Sequence, residues 1–188
     1  MGNYSILIIV CIGTVISSYV GSCVNIALPN IMAALNFNMD SVVWVSLGYM
    51  LPYGSMLPFT GKLGDKFGAK NMYIIGLVVF TIATILCGTA SNSTLMVVFR
   101  IIQGIGGSML LPNAMIIIVA NFSGSKRATA LGLFSAMAAA GSALGPTVGG
   151  YLIDIFNWRA VFFSVTPFCL AGIISAIFLY LNRHVSQK

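Results

Sequence analysis

The sequence predicts an all-α, polytopic membrane helix bundle of six transmembrane helices, and three observations carry the prediction. Nine lysines and arginines and three aspartates, with no glutamate, hold all the charge in 188 residues. They stand so far apart that six charge-free windows remain, at 1–39, 41–61, 71–99, 101–125, 128–153 and 160–182. Each is ~20 residues or longer, the length an α-helix needs to cross ~30 Å of hydrocarbon. Composition agrees: 59% of residues are hydrophobic, 6% are charged, and mean hydropathy is +1.00. A soluble surface is about a quarter charged, so this chain has none to offer water. Backbone groups in lipid must be satisfied within their own segment, which makes each window a helix. The single transmembrane domain, 1–188, is predicted to cross at 5–28, 43–61, 71–90, 94–119, 128–151 and 160–181.

The basic residues orient it. With the N-terminus inside, Lys62, Lys66, Lys70, Lys126, Arg127, Arg183 and Lys188 are all cytoplasmic, Arg159 alone is outside, and Arg100 lies within a span. That is a positive-inside bias for a multi-pass protein of a plasma membrane, of the bacterial cytoplasmic type, with both termini cytoplasmic. The formal charge of +6 then sits beside membrane lipid. No basic cluster interleaved with aromatics marks a nucleic-acid partner. Enzyme chemistry fails on inventory, because the sole histidine, His184, follows the last span. Neither a metal nor a cofactor is expected.

Span one carries Gly13, Ser17, Gly21 and Asn25 at four-residue steps, a face that lets another helix approach closely. Its Val20-Gly21-Ser22-Cys23 loosely matches a lipoprotein cleavage site, but no basic residue precedes Lys62, so the span is read as uncleaved. Cys11, Cys23, Cys87 and Cys169 all fall in spans without paired spacing and read as small apolar packing residues.

After span two comes Gly61-Lys62-Leu63-Gly64-Asp65-Lys66-Phe67-Gly68-Ala69-Lys70. Its glycines predict a tight reversal with positive φ. Asp65 is placed to accept from free amides at the start of span three. In span four, Arg100 lies roughly 10 Å below the outer surface. A mid-helix arginine costs about 2.5–3.5 kcal/mol on insertion scales and faces an interior cavity. Gln103 and Gly104 share its face, so a water-accessible interior position is expected. In span five, Gly141, Gly145 and Gly149 align at four-residue steps, with Gly150 beside them and Pro146 positioned to bend the helix.

The chain also echoes itself. Gly61-x-Leu63-x-Asp65-x-Phe67-x-x-Lys70 recurs as Gly150-x-Leu152-x-Asp154-x-Phe156-x-x-Arg159, an offset of 89. Ala27-Leu28-Pro29-Asn30-Ile31-Met32 recurs as Leu110-Leu111-Pro112-Asn113-Ala114-Met115, an offset of 83. Spans one to three thus correspond to spans four to six. Because each copy has an odd number of spans, the copies enter the bilayer in opposite senses, as two inverted three-helix repeats.

These strings resemble the major facilitator superfamily from about residue 5 to 182. Residues 61–70 look like its loop signature between helices two and three. Met96-x-x-x-Arg100-x-x-Gln103-Gly104-x-Gly106-Gly107-Ser108 looks like its fourth-helix signature, and 141–150 like the fifth-helix signature of antiporters. Asn25-x-Ala27-Leu28-Pro29 and Trp158-Arg159, followed by Phe162 and Pro167, are similar to the fourteen-span drug:proton antiporter branch. The resemblance implies an N-terminal half of a multidrug exporter, working by alternating access on a small-molecule substrate and driven by a proton gradient. It implies that Gly61, Asp65, Lys66, Gly68 and Lys70 form a gating loop. Arg100, Gln103, Gly104 and Asn25 would serve proton coupling or the polar cavity. Gly141, Gly145, Pro146, Gly149 and Gly150 would make a bendable contact with the opposite half. Ala69 departs from a usually basic position, and Val20 stands where the branch often has a carboxylate. No acidic residue lies within a span: Asp40, Asp65 and Asp154 are at edges. Six spans make one half of the usual transporter, so a second half or a homodimer partner is expected. The alternative is a non-transporting six-span interaction protein or an inactive fragment.

Overall fold

The computed structural model describes the backbone over residues 3–185 and the side chains over 4–177. The side chains of Arg183, His184 and Lys188 lie outside the described residues. The chain forms α1 (Asn3–Leu35), α2 (Met39–Phe67), α3 (Ala69–Thr89), α4 (Ser93–Asn121), α5 (Gly124–Ile155), α6 (Arg159–Phe163) and α7 (Thr166–Val185). Five stretches are long and apolar enough to cross a membrane: α1, α3, α4, α5 and the α6–α7 stretch. With its 29 residues α2 has the length, but Ser46, Pro52, Gly54, Ser55, Pro58 and Thr60 dilute its apolar character. The architecture is the all-α membrane bundle that the charge-free windows predict.

The helices overrun the predicted spans, because charge ends a hydrophobic span whereas caps end a helix. Span one, predicted to stop at 28, runs on through Pro29 to Leu35. It stops where Asn36 adopts φ +54 and the Phe37 amide bonds the Met32 carbonyl at 3.1 Å, a Schellman closure. The start of α4 is fixed by Asn92, whose side chain accepts from the Leu95 amide at 2.9 Å. Arginines satisfy two helix C-termini. Arg127 donates to the Phe122 and Val119 carbonyls at the end of α4, and Arg159 to the Gly88 and Ala90 carbonyls at the end of α3.

Two expectations are corrected here. Span six is not one continuous helix, because Pro167 has no amide to donate and so the ladder breaks at 164–165. Nor is 61–70 a loop. α2 continues to Phe67, and Gly68, at φ +92, makes the whole reversal into α3. Only this glycine needs the left-handed region. Gly61 and Gly64 are helical, and Asp65 lies near the C-terminal end of α2 rather than at a helix start.

α1 packs chiefly on α5, and α2 and α3 on α4, while α7 rests on α3 and α1. The α1–α5 and α2–α4 pairs are each parallel, whereas α3 runs antiparallel to α4. Along α1–α5, Gly141 meets Val15, Gly145 meets Ser22 and Gly149 meets Cys23. Along α2–α4, Gly48 meets Val97, Gly107 meets Tyr53 and Gly64 meets Asn113. An inverted repeat that exchanges α1 with α4 and α2 with α5 exchanges these two pairs. The same contacts bring the end of α2, with Lys62 and Lys66, to the end of α4, two residues from α5 and its Lys126. Tyr4 of α1 stacks edge-on against Phe122 there, so the N-terminal end of α1 lies at that same end of the bundle.

Candidate functional site

α4 is the helix on which the interior is built. Gly104 and Gly106 lie against the Tyr49 carbonyl of α2 and the Phe80 backbone of α3, where a β-carbon would collide with main chain. The helices on both flanks therefore come close enough to enclose Arg100, of which only 1% remains exposed.

The guanidinium finds its partners without a carboxylate. Its Nε donates to the Val45 carbonyl at 2.8 Å, and Nη1 donates to Gln103 Oε1 at 2.6 Å. Its carbon sits 4.5 Å from the Tyr49 ring centre, over the electron-rich face. Gln103 Nε2 in turn donates to Thr84 Oγ1 at 2.7 Å, and Thr84 donates to the Phe80 carbonyl at 2.7 Å. The Tyr49 and Ser17 hydroxyls share a hydrogen bond of 3.2 Å. One connected cluster thus ties α1, α2, α3 and α4 around a positive charge held by neutral groups. Desolvating that charge is costly, and the oxygen acceptors and the ring offset the cost only because every member is in place.

Sequence reasoning expects Arg100 to be interior, and it is. It also expects water access, whereas the enclosing helices seal the group. Gln103 and Gly104 join the cluster. Asn25 does not. It is exposed on α1, accepts from Ser46 Oγ at 2.8 Å, and lies outside the Arg100 shell. Tyr49 and Thr84 belong to none of the motifs that the sequence shows. The available signal is the polar stripe Thr81, Thr84 and Cys87 at three-residue steps on α3, all buried.

A second constellation sits at the end bearing Lys66. Thr60 Oγ1 donates to the Ser108 carbonyl at 2.7 Å, and Asn113 Nδ2 donates to the Met109 and Thr60 carbonyls at 2.8 and 3.3 Å. Gly64 leaves the space that the Asn113 amide fills, and Gly61 faces Pro112. Two strings separated in sequence, 61–70 and 110–115, are thereby in contact. Asp65, Lys66 and Gly68 are exposed there, with Lys70 on the first turn of α3.

The glycine face of α5 differs from expectation. Gly141, Gly145 and Gly149 are buried against α1 of the same chain, on Val15, Ser22 and Cys23. Ser22 Oγ donates to the Ser142 carbonyl at 2.7 Å across that seam. A partner unit is therefore not needed to cover these glycines. Pro146 is exposed on the other side, and Gly150 has nothing within contact distance.

Chemically, the Arg100 cluster is a fixed cation without a carboxylate or histidine among the described residues around it. It can set the sign of the interior field and hold four helices in register.

A bundle of membrane helices in inverted pairs, with a sealed charge at its centre, has the construction of half of an alternating-access transporter. The chain belongs to the Major Facilitator Superfamily, whose profile matches residues 10–188. It is 35% identical over 173 residues to the methylenomycin A resistance protein of Bacillus subtilis, covering 92% of this chain and 37% of that protein. It is 38% identical to the multidrug transporter protein MdtP of Bacillus subtilis, covering 85% of this chain and 29% of the relative. It is 37% identical to the riboflavin transporter RibZ of Clostridioides difficile, covering 94% and 38%. The chain thus spans about a third of the length of these curated relatives. It is a multi-pass membrane protein.

Proposed function

We propose that the chain is the N-terminal half of a proton-coupled exporter of drug-like or other small organic molecules, acting by alternating access opposite a second six-helix unit. Arg100 carries the reading, because a sealed intramembrane charge is costly and marks a coupling or substrate path by default. The names of the relatives, which speak of multidrug transport, antibiotic resistance and riboflavin transport, support an organic cargo.

Exposed polar groups within the bundle support a second unit. Asn25 is exposed on α1 well inside its span; its Oδ1 accepts from Ser46 and its Nδ2 donates to the Gly21 carbonyl, and hydrocarbon offers nothing for the rest of its bonding capacity. A water-filled cleft shared with a second half, or with a second copy of this chain, does. In this arrangement Asn25, Gln103 and Gly104 belong to the cleft and its wall, and Arg100 organises that wall. The second unit supplies the proton-carrying carboxylate. Asp65 latches the cytoplasmic gate, with Gly61, Lys66, Gly68 and Lys70 shaping it. Pro146 and Gly150, on the open side of α5, meet the second unit. The positive-inside bias supports a cytoplasmic side for the end bearing Lys66 and Lys126 and for both chain termini.

The test is ethidium export from cells carrying the natural gene, with its second unit, when a proton gradient is imposed. Arg100→Ala is expected to abolish export while membrane insertion, followed by immunoblot, persists. Export at the wild-type rate would remove Arg100 from the mechanism. If the second unit is another copy, the detergent-purified species weighs about twice the 19.9 kDa chain, and a strict monomer rejects the homodimer.

A further inference from the structure

The last nine residues of α2, 59–67, are fastened to the bundle by very little. Only Thr60 and Gly64 among them are buried, and Phe59, Leu63 and Phe67 are exposed. Nearer the start of α2, the two helices meet main chain on main chain, where Gly104 lies against the Tyr49 carbonyl. In the last nine residues Gly64 meets only a side-chain tip, the Asn113 amide, and Gly61 touches Pro112 at ordinary contact distance. A backbone contact cannot yield, whereas an amide can rotate. Two breaks bound the segment. Pro58 has no amide to give the Gly54 carbonyl, and Gly68 turns the chain at φ +92.

Two cross-helix bonds close the seam here, and each donor has a second acceptor on its own helix. The Thr60 hydroxyl donates to the Ser108 carbonyl at 2.7 Å, an acceptor that Pro112 releases from the α4 ladder, and lies 3.2 Å from the Leu57 carbonyl of α2. Asn113 Nδ2 donates to the Thr60 carbonyl at 3.3 Å and to the Met109 carbonyl of α4 at 2.8 Å. Opening the seam therefore strands neither donor. It also relieves a cost, because Asn113 Oδ1 is buried against Gly64 with no hydrogen-bond donor among the described residues. An orphaned buried acceptor is costly, and parting the helices lets a donor reach it. What opening gives up is the Thr60 bond to the Ser108 carbonyl. The α1–α5 seam has no comparable freedom. Its matching staple, Ser22 Oγ on the Ser142 carbonyl that Pro146 releases, is flanked by Gly141 and Gly145 pressed on main chain.

We propose that residues 59–67 are a strap with two positions. In one it is clipped to α4 as described above. In the other it is swung out about Pro58 and Gly68, with Thr60 bonded back to Leu57 and Asn113 to Met109. Lys62, Asp65 and Lys66 ride on the strap, so its position decides where the gate charges stand. That consequence rests on the transport reading, whereas the two positions do not.

Spin-label distances in the full chain, reconstituted in lipid nanodiscs, read the two positions directly. The native cysteines are buried, so labels can be placed on cysteines introduced at exposed sites. Labels at 63 and 82 pair the strap with α3, which Gly76 and Gly106 hold on α4. Labels at 50 and 82 pair the part of α2 before its prolines with the same reference. The first pair should give two distances and the second pair one. Thr60→Val keeps the shape and removes the hydroxyl, so the ratio of swung-out to clipped should rise about fivefold, the worth of one hydrogen bond. Asn113→Ala removes the orphaned acceptor along with the bond and should move the ratio less than Thr60→Val. Gly64→Ala, whose β-carbon takes the amide's space, should leave the swung-out position dominant. A single 63–82 distance in the wild type and all three variants overturns the proposal. So does a ratio that Thr60→Val leaves unchanged, and so does a second distance in the 50–82 pair, which would mean that all of α2 moves. Because the readout is a distance, it stands or falls apart from any export measurement.

Discussion

The α2–α4 and α1–α5 seams are copies of one design, yet they hold together by different means. At an offset of 83, Arg100 of α4 corresponds to Ser17 of α1, and Gln103 to Val20. At an offset of 89, Tyr49 of α2 corresponds to Ala138 of α5, and Gly64 to Ile153. The first seam therefore carries a charge, a ring and an amide that fills the space left by a glycine. The second carries neither the charge nor the ring, and closes on Gly141, Gly145 and Gly149. Asn113 is fully buried against Gly64, whereas its counterpart Asn30 is exposed, and Ile153 stands in the second copy where Gly64 stands in the first. Duplication supplies the helix pairing, and substitution then decides which copy bears chemistry. Among the bonds between the two seams is that of Ser17 with Tyr49, so the residue standing where the second copy would have its arginine reaches into the first copy's cluster.

This asymmetry can be broken in stages. Arg100→Ala should be the most damaging change, stripping the Val45 carbonyl and Gln103 Oε1 of their arginine bonds and leaving a void between four helices. A loss of about 3–5 kcal/mol in detergent stability is expected. Arg100→Lys keeps the charge but cannot serve both acceptors with one planar fork, so it should recover only part of that. Gly145→Leu acts on the other seam. A β-carbon there lies 2.7 Å from Ser22 Oγ and 3.0 Å from the Cys23 amide, so α1 and α5 must separate. About 3 kcal/mol should be lost, read as a lower unfolding temperature. An unmoved midpoint would mean that α5 does not rest on α1.

Gly64→Ala is milder, because the Asn113 side chain can rotate away. It should cost about 1–2 kcal/mol by loss of the amide's bonds, and Asn113→Ala combined with it should cost less than the sum. Tyr49→Phe should matter least. It removes the hydroxyl from Ser17 and keeps the ring under Arg100, for about 0.5–1 kcal/mol. A loss as large as that of Arg100→Ala would show that the hydroxyl, rather than the ring, holds the cluster.

The spacing of charges makes the fold legible in the sequence, because in lipid a charge-free window of this length has one stable conformation. The interior position of Arg100 is legible for the same energetic reason. Where each helix stops is less so. Asn36, Asn92 and Gly68 are local caps that a hydropathy window averages away. The glycines at 61 and 64 suggest a turn, and only the presence of Pro112 and Asn113 opposite reveals them as contact points. The partner of the α5 glycines was hidden because small residues announce that something approaches without saying which helix. Thr84 and Tyr49 were missed because their roles depend on three other helices closing around them.

The account rests on parallel, inverted pairs that bring Tyr4, Lys66 and Lys126 to one end of the bundle and leave Asp40 and Asn157 at the other. Cys11, Cys23, Cys87 and Cys169 are all buried, so single cysteines can be placed at 66, 126 and 157 over a silent background. A membrane-impermeant thiol reagent applied to intact cells should label position 157 alone, and applied to inverted vesicles it should label 66 and 126 alone. Labelling of 66 and 126 from opposite sides would contradict the arrangement.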